Sequence, residues 1–162
     1  MPTNPSGDVV LKPLGHPAHT LQEWLCTFHL AAVILDPYTY ESAWILETAG
    51  RILGNFDEAD CRVAFVVTAS EDQATQFVGP WKEEILCFAD PDRGLARGLD
   101  LQALPAFVHI AHDLQVVALA EGWNPAEWRE VADNLAKMMA WTEPLIPAQG
   151  DPAPFAGTPA LG

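Results

Sequence analysis

The chain has 162 residues, 49% of them hydrophobic and 19% charged. That is the size and composition of one globular domain with a core large enough to need no disulfide staples. Eight Lys and Arg stand against 22 Asp and Glu, a net charge of −14, and such a surface repels phosphate backbones and anionic headgroups, so neither nucleic acid nor a membrane is expected as a partner.

Residues 1–19 hold four prolines and two glycines with little periodicity. They are read as an arm laid over the domain or partly mobile. Met1 to Asp8 has neither a basic nor an apolar region, so no secretory signal is expected there and the cytoplasm is the expected location. Thr20 and Glu23 form a capping-box pair that opens a helix over Leu21 to Phe28. The apolar run Leu30 to Leu35, stopped by Asp36-Pro37, predicts a strand covered on both faces. Ala43, Leu46, Ala49, Ile52 and Leu53 recur at helical spacing within Tyr40 to Phe56, and Gly54-Asn55 is a stop signal.

Arg62 to Thr68 predicts a second buried strand, and Ser70 caps a polar helix running toward Phe77. Glu84 to Ala89 reads as a shorter strand and Pro91 to Leu99 as a one- or two-turn helix. Leu104-Pro105 then leads into a hairpin, Ala106 to Ala111 and Gln115 to Ala120, around His112-Asp113. Asn124-Pro125 is an N-cap followed by proline at the first helical position, so the last helix runs from Pro125 to about Ala140 with Trp128, Val131, Leu135 and Met138 on one face. From Thr142 five prolines and three glycines fall within 21 residues. Two readings of this tail stand: a disordered end, or a polyproline-like segment docked on its own or a partner domain, with Trp141 placed to anchor it. The division is therefore an arm (1–19), a domain (20–141) and a tail (142–162).

Asp90-Pro91-Asp92 with Gly94, a short helix, Leu104-Pro105 and the strand Phe107 to Ile110 together resemble the C-terminal half of a thioredoxin-like fold, in its TlpA and AhpC/TSA (peroxiredoxin) branch. The resemblance covers residues 20–140 and implies an α/β three-layer sandwich, a central mixed sheet flanked by helices, with a cis peptide before Pro105. In that family the reactive cysteine stands at the N-terminus of the helix after the first central strand, where the helix dipole lowers a thiol pKa. The corresponding stretch, Leu35 to Trp44, contains no cysteine, and Ser42 is its nearest counterpart. A serine hydroxyl passes no electrons, and with only Glu41 beside it and no Gly-x-Ser-x-Gly elbow it is not expected to be hydrolytic either.

The expectation that follows is a redox-inactive thioredoxin-like protein, more binding or scaffolding module than enzyme. Its groove would be lined by Tyr38, Thr39, Tyr40, Ser42, Trp44, Leu104 and Pro105, with the aromatics facing Pro105, and would take a protein or peptide partner. Homo-oligomerisation is a further reading. The alternative is a divergent thiol oxidoreductase or peroxiredoxin-like enzyme that uses a displaced cysteine, Cys61 or Cys87. Cys26, Cys61 and Cys87 have no Cys-x-x-Cys neighbour, and all three are expected to be buried and reduced. His109 and His112 would chelate together only if the turn brought them round. With no His-Glu-x-x-His, paired-cysteine or phosphate-loop motif, no metal and no cofactor are expected.

Overall fold

The structure, a computed structural model, describes residues 3–162. Its strands in chain order are β1 (Val10–Pro13), β2 (His19–Thr20), β3 (His29–Leu35), β4 (Cys61–Val67), β5 (Leu86–Ala89), β6 (Ala103–Leu104), β7 (Ala106–Ile110), β8 (Val116–Glu121) and β9 (Thr158–Pro159). The helices are α1 (Leu21–Trp24), α2 (Tyr40–Gly54), α3 (Glu71–Val78), α4 (Gly94–Gly98) and α5 (Pro125–Met139), with a 3-10 turn at Gly79–Glu83 before β5. Seven strands form one sheet in the order β2-β1-β5-β4-β3-β7-β8. β3, β4 and β5 run parallel, while β7 joins β3 and β1 joins β5 antiparallel. β6 and β9 pair by themselves.

β3 lies inside the sheet, between β4 and β7, because its apolar run Leu30 to Leu35 can be buried on both faces. Ala31, Val33 and Leu35 point into the core beneath α2 and α5, and Leu30, Ala32 and Ile34 into the core beneath α1 and α4. This alternation into two separate cores is what a continuous apolar run achieves in a sandwich of helix, sheet and helix. Trp128 on α5 packs against Phe107 and Trp123, with ring centroids 5.1 Å apart in both pairs, and its Nε1 donates to the Gly122 carbonyl (2.8 Å).

Several expectations are corrected. The arm contributes strands: β1 extends the sheet beyond β5, because the edge of a four-residue strand left bare would carry unpaired N–H and C=O groups. The helix opened by Thr20 has its capping box but ends at Trp24, not Phe28, and Cys26 after it is exposed rather than buried. On α2 the predicted Ala49, Ile52 and Leu53 are buried, but in the first turns Ser42 and Ile45 are buried in place of Ala43 and Leu46, and Ala43 faces solvent. On α5, Met138 is exposed and Ala132 and Ala136 take its place against the sheet.

At the end of the sheet remote from the N-terminus of α2, three histidines meet. His29 Nδ1 and His109 Nε2 are 2.8 Å apart and share a hydrogen bond. The turn does bring His112 round, onto His29 rather than His109, with ring centroids 4.7 Å apart, and His112 Nδ1 lies 2.9 Å from the Leu25 carbonyl. Among the described residues no group of three His, Cys, Asp or Glu has the geometry to hold a metal. His109 is fully buried and its Nδ1 has no partner. Burial, and secondarily His29, push its pKa down from 6.5 to about 4. His109 is therefore neutral in the native state over a range in which the unfolded chain takes up a proton. Its contribution to stability is complete above about pH 6.5 and lost as pH falls toward 4, by up to roughly 3 kcal/mol. Urea unfolding at a series of pH values should show this fall, and His109→Gln should flatten it.

Candidate functional site

The site forms where the C-terminal ends of the parallel strands open. Two of these strands end in the same dipeptide, β3 in Asp36-Pro37 and β5 in Asp90-Pro91. The two aspartates bind different partners. The Asp90 carboxylate accepts from the backbone N–H groups of Gly94 and Leu95 (3.1 and 3.0 Å) and so caps α4. Burial raises its pKa, and those two N–H groups oppose the rise. The turn capped in this way puts Arg93 in the left-handed region at φ 57°, and its side chain reaches across the strand ends to Asp36.

Asp36 is the hub. Oδ2 accepts from Arg93 Nη2 (2.9 Å) and Oδ1 from the Tyr38 N–H (3.0 Å), while its backbone N–H donates to Ser42 Oγ (2.9 Å). Both charged side chains are largely buried, 6% exposed for Asp36 and 14% for Arg93. Thr39 caps α2 by accepting from the Ser42 N–H, and its own hydroxyl donates to the Asp36 carbonyl (2.9 Å). Ser42 is fully buried and ties the end of β3 to the first turn of α2. It has no general base among its hydrogen-bond partners, so the arrangement gives it no nucleophilic role.

Pro105 follows a cis peptide, and both Leu104 and Pro105 are buried. The loop before them is held by Glu121, whose Oε1 accepts from the N–H groups of Gln102 and Ala103 (2.6 and 3.0 Å). The predicted groove residues are thus not all brought together. Thr39, Ser42, Leu104 and Pro105 line the strand ends, but Tyr38, Tyr40 and Trp44 turn outward and are 64, 78 and 56% exposed. The Tyr38 hydroxyl bonds Gln73 on α3, and Trp44 leans on Phe155 with ring centroids 6.0 Å apart.

The chain's own tail takes the position expected of those aromatics. After α5 it crosses α2, where Asp151 accepts from Thr48 Oγ1 (2.8 Å) and Arg51 Nη2 (2.9 Å) and Ile146 is buried. Trp123, not Trp141, anchors it: Nε1 donates to the Pro152 carbonyl (2.7 Å), and Trp123 and Phe155 exchange both backbone hydrogen bonds. Trp141 instead donates to the Asn55 carbonyl at the end of α2 (2.6 Å). The tail then passes Gly122, held at φ 71° with no room for a side chain against the Ala156 backbone, and β9 adds itself to β6. Arg93 Nη1 donates to the Ala160 carbonyl (2.8 Å), so a single guanidinium joins the tail to the end of β3. Asp36 and Arg93 are the residues that reading the sequence missed. The repeated strand-end Asp-Pro was the available signal.

The two candidate redox thiols lie elsewhere. Cys61 and Cys87 are 7 and 4% exposed, and burial raises their pKa to about 11 and about 12. Cys87 pairs in register with Phe65, four residues along β4 from Cys61. That puts the two sulfurs' backbones about 13 Å apart along the strand direction, beyond the reach of a disulfide.

No family model and no curated protein matches the sequence. Solved structures do match. Xanthomonas campestris peroxiredoxin Q is 17% identical with a TM-score of 0.64, over 83% of this chain and 91% of that one. A secreted Mycobacterium tuberculosis disulfide oxidoreductase is 14% identical with a TM-score of 0.59, over 82% and 95%. The exposed lipoprotein thioredoxin Etrx1 of Streptococcus pneumoniae is 13% identical with a TM-score of 0.61, over 80% and 97%. The fold is thioredoxin-like, an α/β mixed sheet with flanking helices.

Two outcomes follow from this geometry. With a thiol reagent at neutral pH, Cys26 should react in the native protein while Cys61 and Cys87 react only on unfolding, as mass spectrometry of the labelled peptides would show. Arg93→Met leaves the Asp36 carboxylate buried without its partner and should cost about 3 kcal/mol in denaturant unfolding. Adding Asp36→Asn should recover most of that loss.

Proposed function

We propose that this chain is a thioredoxin-like protein without thiol chemistry, and that it binds an extended protein segment along β6 beside Pro105. The observation that carries this reading is the strand pair β6–β9: the edge next to Pro105 takes an extended segment by backbone pairing, the mode by which sheet edges recognise peptides. Support for the absence of redox chemistry comes from the N-terminus of α2, where the chain has buried Ser42 and no cysteine between Cys26 and Cys61. The displaced-cysteine alternative has against it two buried thiols whose raised pKa keeps them protonated at neutral pH. Three free cysteines fit a reducing compartment, and the cytoplasm is the proposed location.

The test pairs two assays. The purified chain should reduce neither insulin disulfides nor hydroperoxides above background; turnover that disappears on Cys61→Ser or Cys87→Ser would overturn the reading. Extended peptides selected from a display library should shift the amide resonances of Gln102, Ala103 and Leu104. Selected peptides that shift only residues remote from this edge would count against the groove.

A further inference from the structure

We propose that residues 157–161, Gly-Thr-Pro-Ala-Leu, act as an intramolecular ligand of the β6 edge. A partner that occupies the groove must then present the same chemistry, an extended Gly-Thr-Pro-small segment, and displace them. The inference rests on the reading of the groove as a protein-binding site and names its ligand class.

The tail docks in two parts of different character. Residues 142–156 are held mainly by side chains, with Ile146 buried, Asp151 clasped by Thr48 and Arg51 and the Trp123 indole donating to the Pro152 carbonyl, and a backbone bridge between Phe155 and Trp123 adds to them. Residues 157–161 are held largely through their backbone, with Ala160 the one buried side chain among them and the Thr158 hydroxyl donating to the Leu104 carbonyl (3.5 Å). β9 pairs Thr158 with Leu104 and Pro159 with Ala103, the Ala160 N–H donates to the Gln102 carbonyl (3.1 Å), and the Ala160 carbonyl accepts from Arg93. A two-residue ladder is a weak attachment compared with the buried contacts before it. These five residues can therefore leave while residues 142–156 stay in place.

The ligand's sequence requirements are set by contact. Gly157 sits at φ 93°, and a Cβ there would lie 2.6 Å from the Leu104 carbonyl oxygen and 3.2 Å from Gly122 Cα, so both the conformation and the space demand glycine. Ala160 is 2% exposed and belongs to the core cluster that includes Leu101 and Leu104, so this position takes a small apolar residue. Pro159, which lacks an N–H, is tolerated because it lies in a two-stranded pair rather than in the main sheet. Tyr38 and Tyr40, mostly exposed, provide apolar surface that the tail leaves uncovered. A partner that also covers them would gain contacts the tail lacks.

The experiment uses the full chain, wild type and Gly157→Val, and a fluorescein-labelled peptide of residues 153–162 read by anisotropy. A tethered segment faces its own site at about millimolar effective concentration. The Gly157→Val chain, its own ligand expelled, should bind the peptide at least about tenfold more tightly than the wild type, by that mass action. Peptides carrying Gly157→Val or Ala160→Glu should lose this binding. Should Gly157→Val fail to fold, Ala160→Glu in the full chain serves the same purpose. Equal affinity of both chains for the peptide, or undiminished binding of the substituted peptides, would overturn the proposal. If the released chain instead selects from a display library peptides without the Gly-Thr-Pro-small pattern, and these still shift Gln102 to Leu104, the proposal falls while the groove reading stands. If neither the tail peptide nor any selected peptide binds, both fall.

Discussion

The ion pair between Asp36 and Arg93 organises this end of the molecule. A carboxylate at the end of the central strand is costly to bury alone, and Arg93 repays that cost only because the Asp90-capped turn delivers its guanidinium at 2.9 Å. The second arm of the same guanidinium takes the Ala160 carbonyl. The planar fork of arginine suits this double duty, since its donors point in fixed and different directions. Strand end, helix cap, turn and tail are thereby linked through one side chain.

A thioredoxin-like framework commonly uses the positive end of a helix to activate a thiol. Here the Ser42 N–H in the first turn of α2 and the N–H groups of the strand-to-helix turn before it are paired from within. Thr39 accepts from the Ser42 N–H, Ser42 accepts from the Asp36 N–H, and the Asp36 carboxylate accepts from the Tyr38 N–H. Three donors of this turn are thus committed to structure, two of them to hydroxyls and one to a carboxylate held by arginine. The frame keeps a backbone edge beside Pro105, and the proposed function draws on that edge alone.

The fold could be read from the sequence wherever one local signal decided the outcome. The apolar runs of β3 and β4, the Ser70 and Asn124 caps and the Leu104-Pro105 corner each stand close to where they were expected. Legibility failed where contacts are long-range. β1 has an ordinary polar-apolar pattern among prolines, and only the edge of β5, distant in sequence and paired as Lys12 with Ala89 and Pro13 with Phe88, makes it a strand. Composition leaves the tail with two readings, a disordered end or a docked segment, and the choice is made by partners on α2, β6 and Trp123 that no local pattern encodes. Aromatic residues at a helix start suggest packing, but Tyr38, Tyr40 and Trp44 are exposed, and residues 158–159 of the tail pair with the β6 edge instead.

The central claim is that the groove edge is occupied by the chain's own C-terminal segment, and amide hydrogen exchange at Ala160 tests it most directly. Its N–H donates to the Gln102 carbonyl, so the account predicts exchange slowed well below the rate of an unstructured peptide, yet faster than that of the β3 amides. Exchange of Ala160 at the rate of a free peptide would mean that the segment does not occupy the edge in solution, and the account of a self-liganded groove would be wrong.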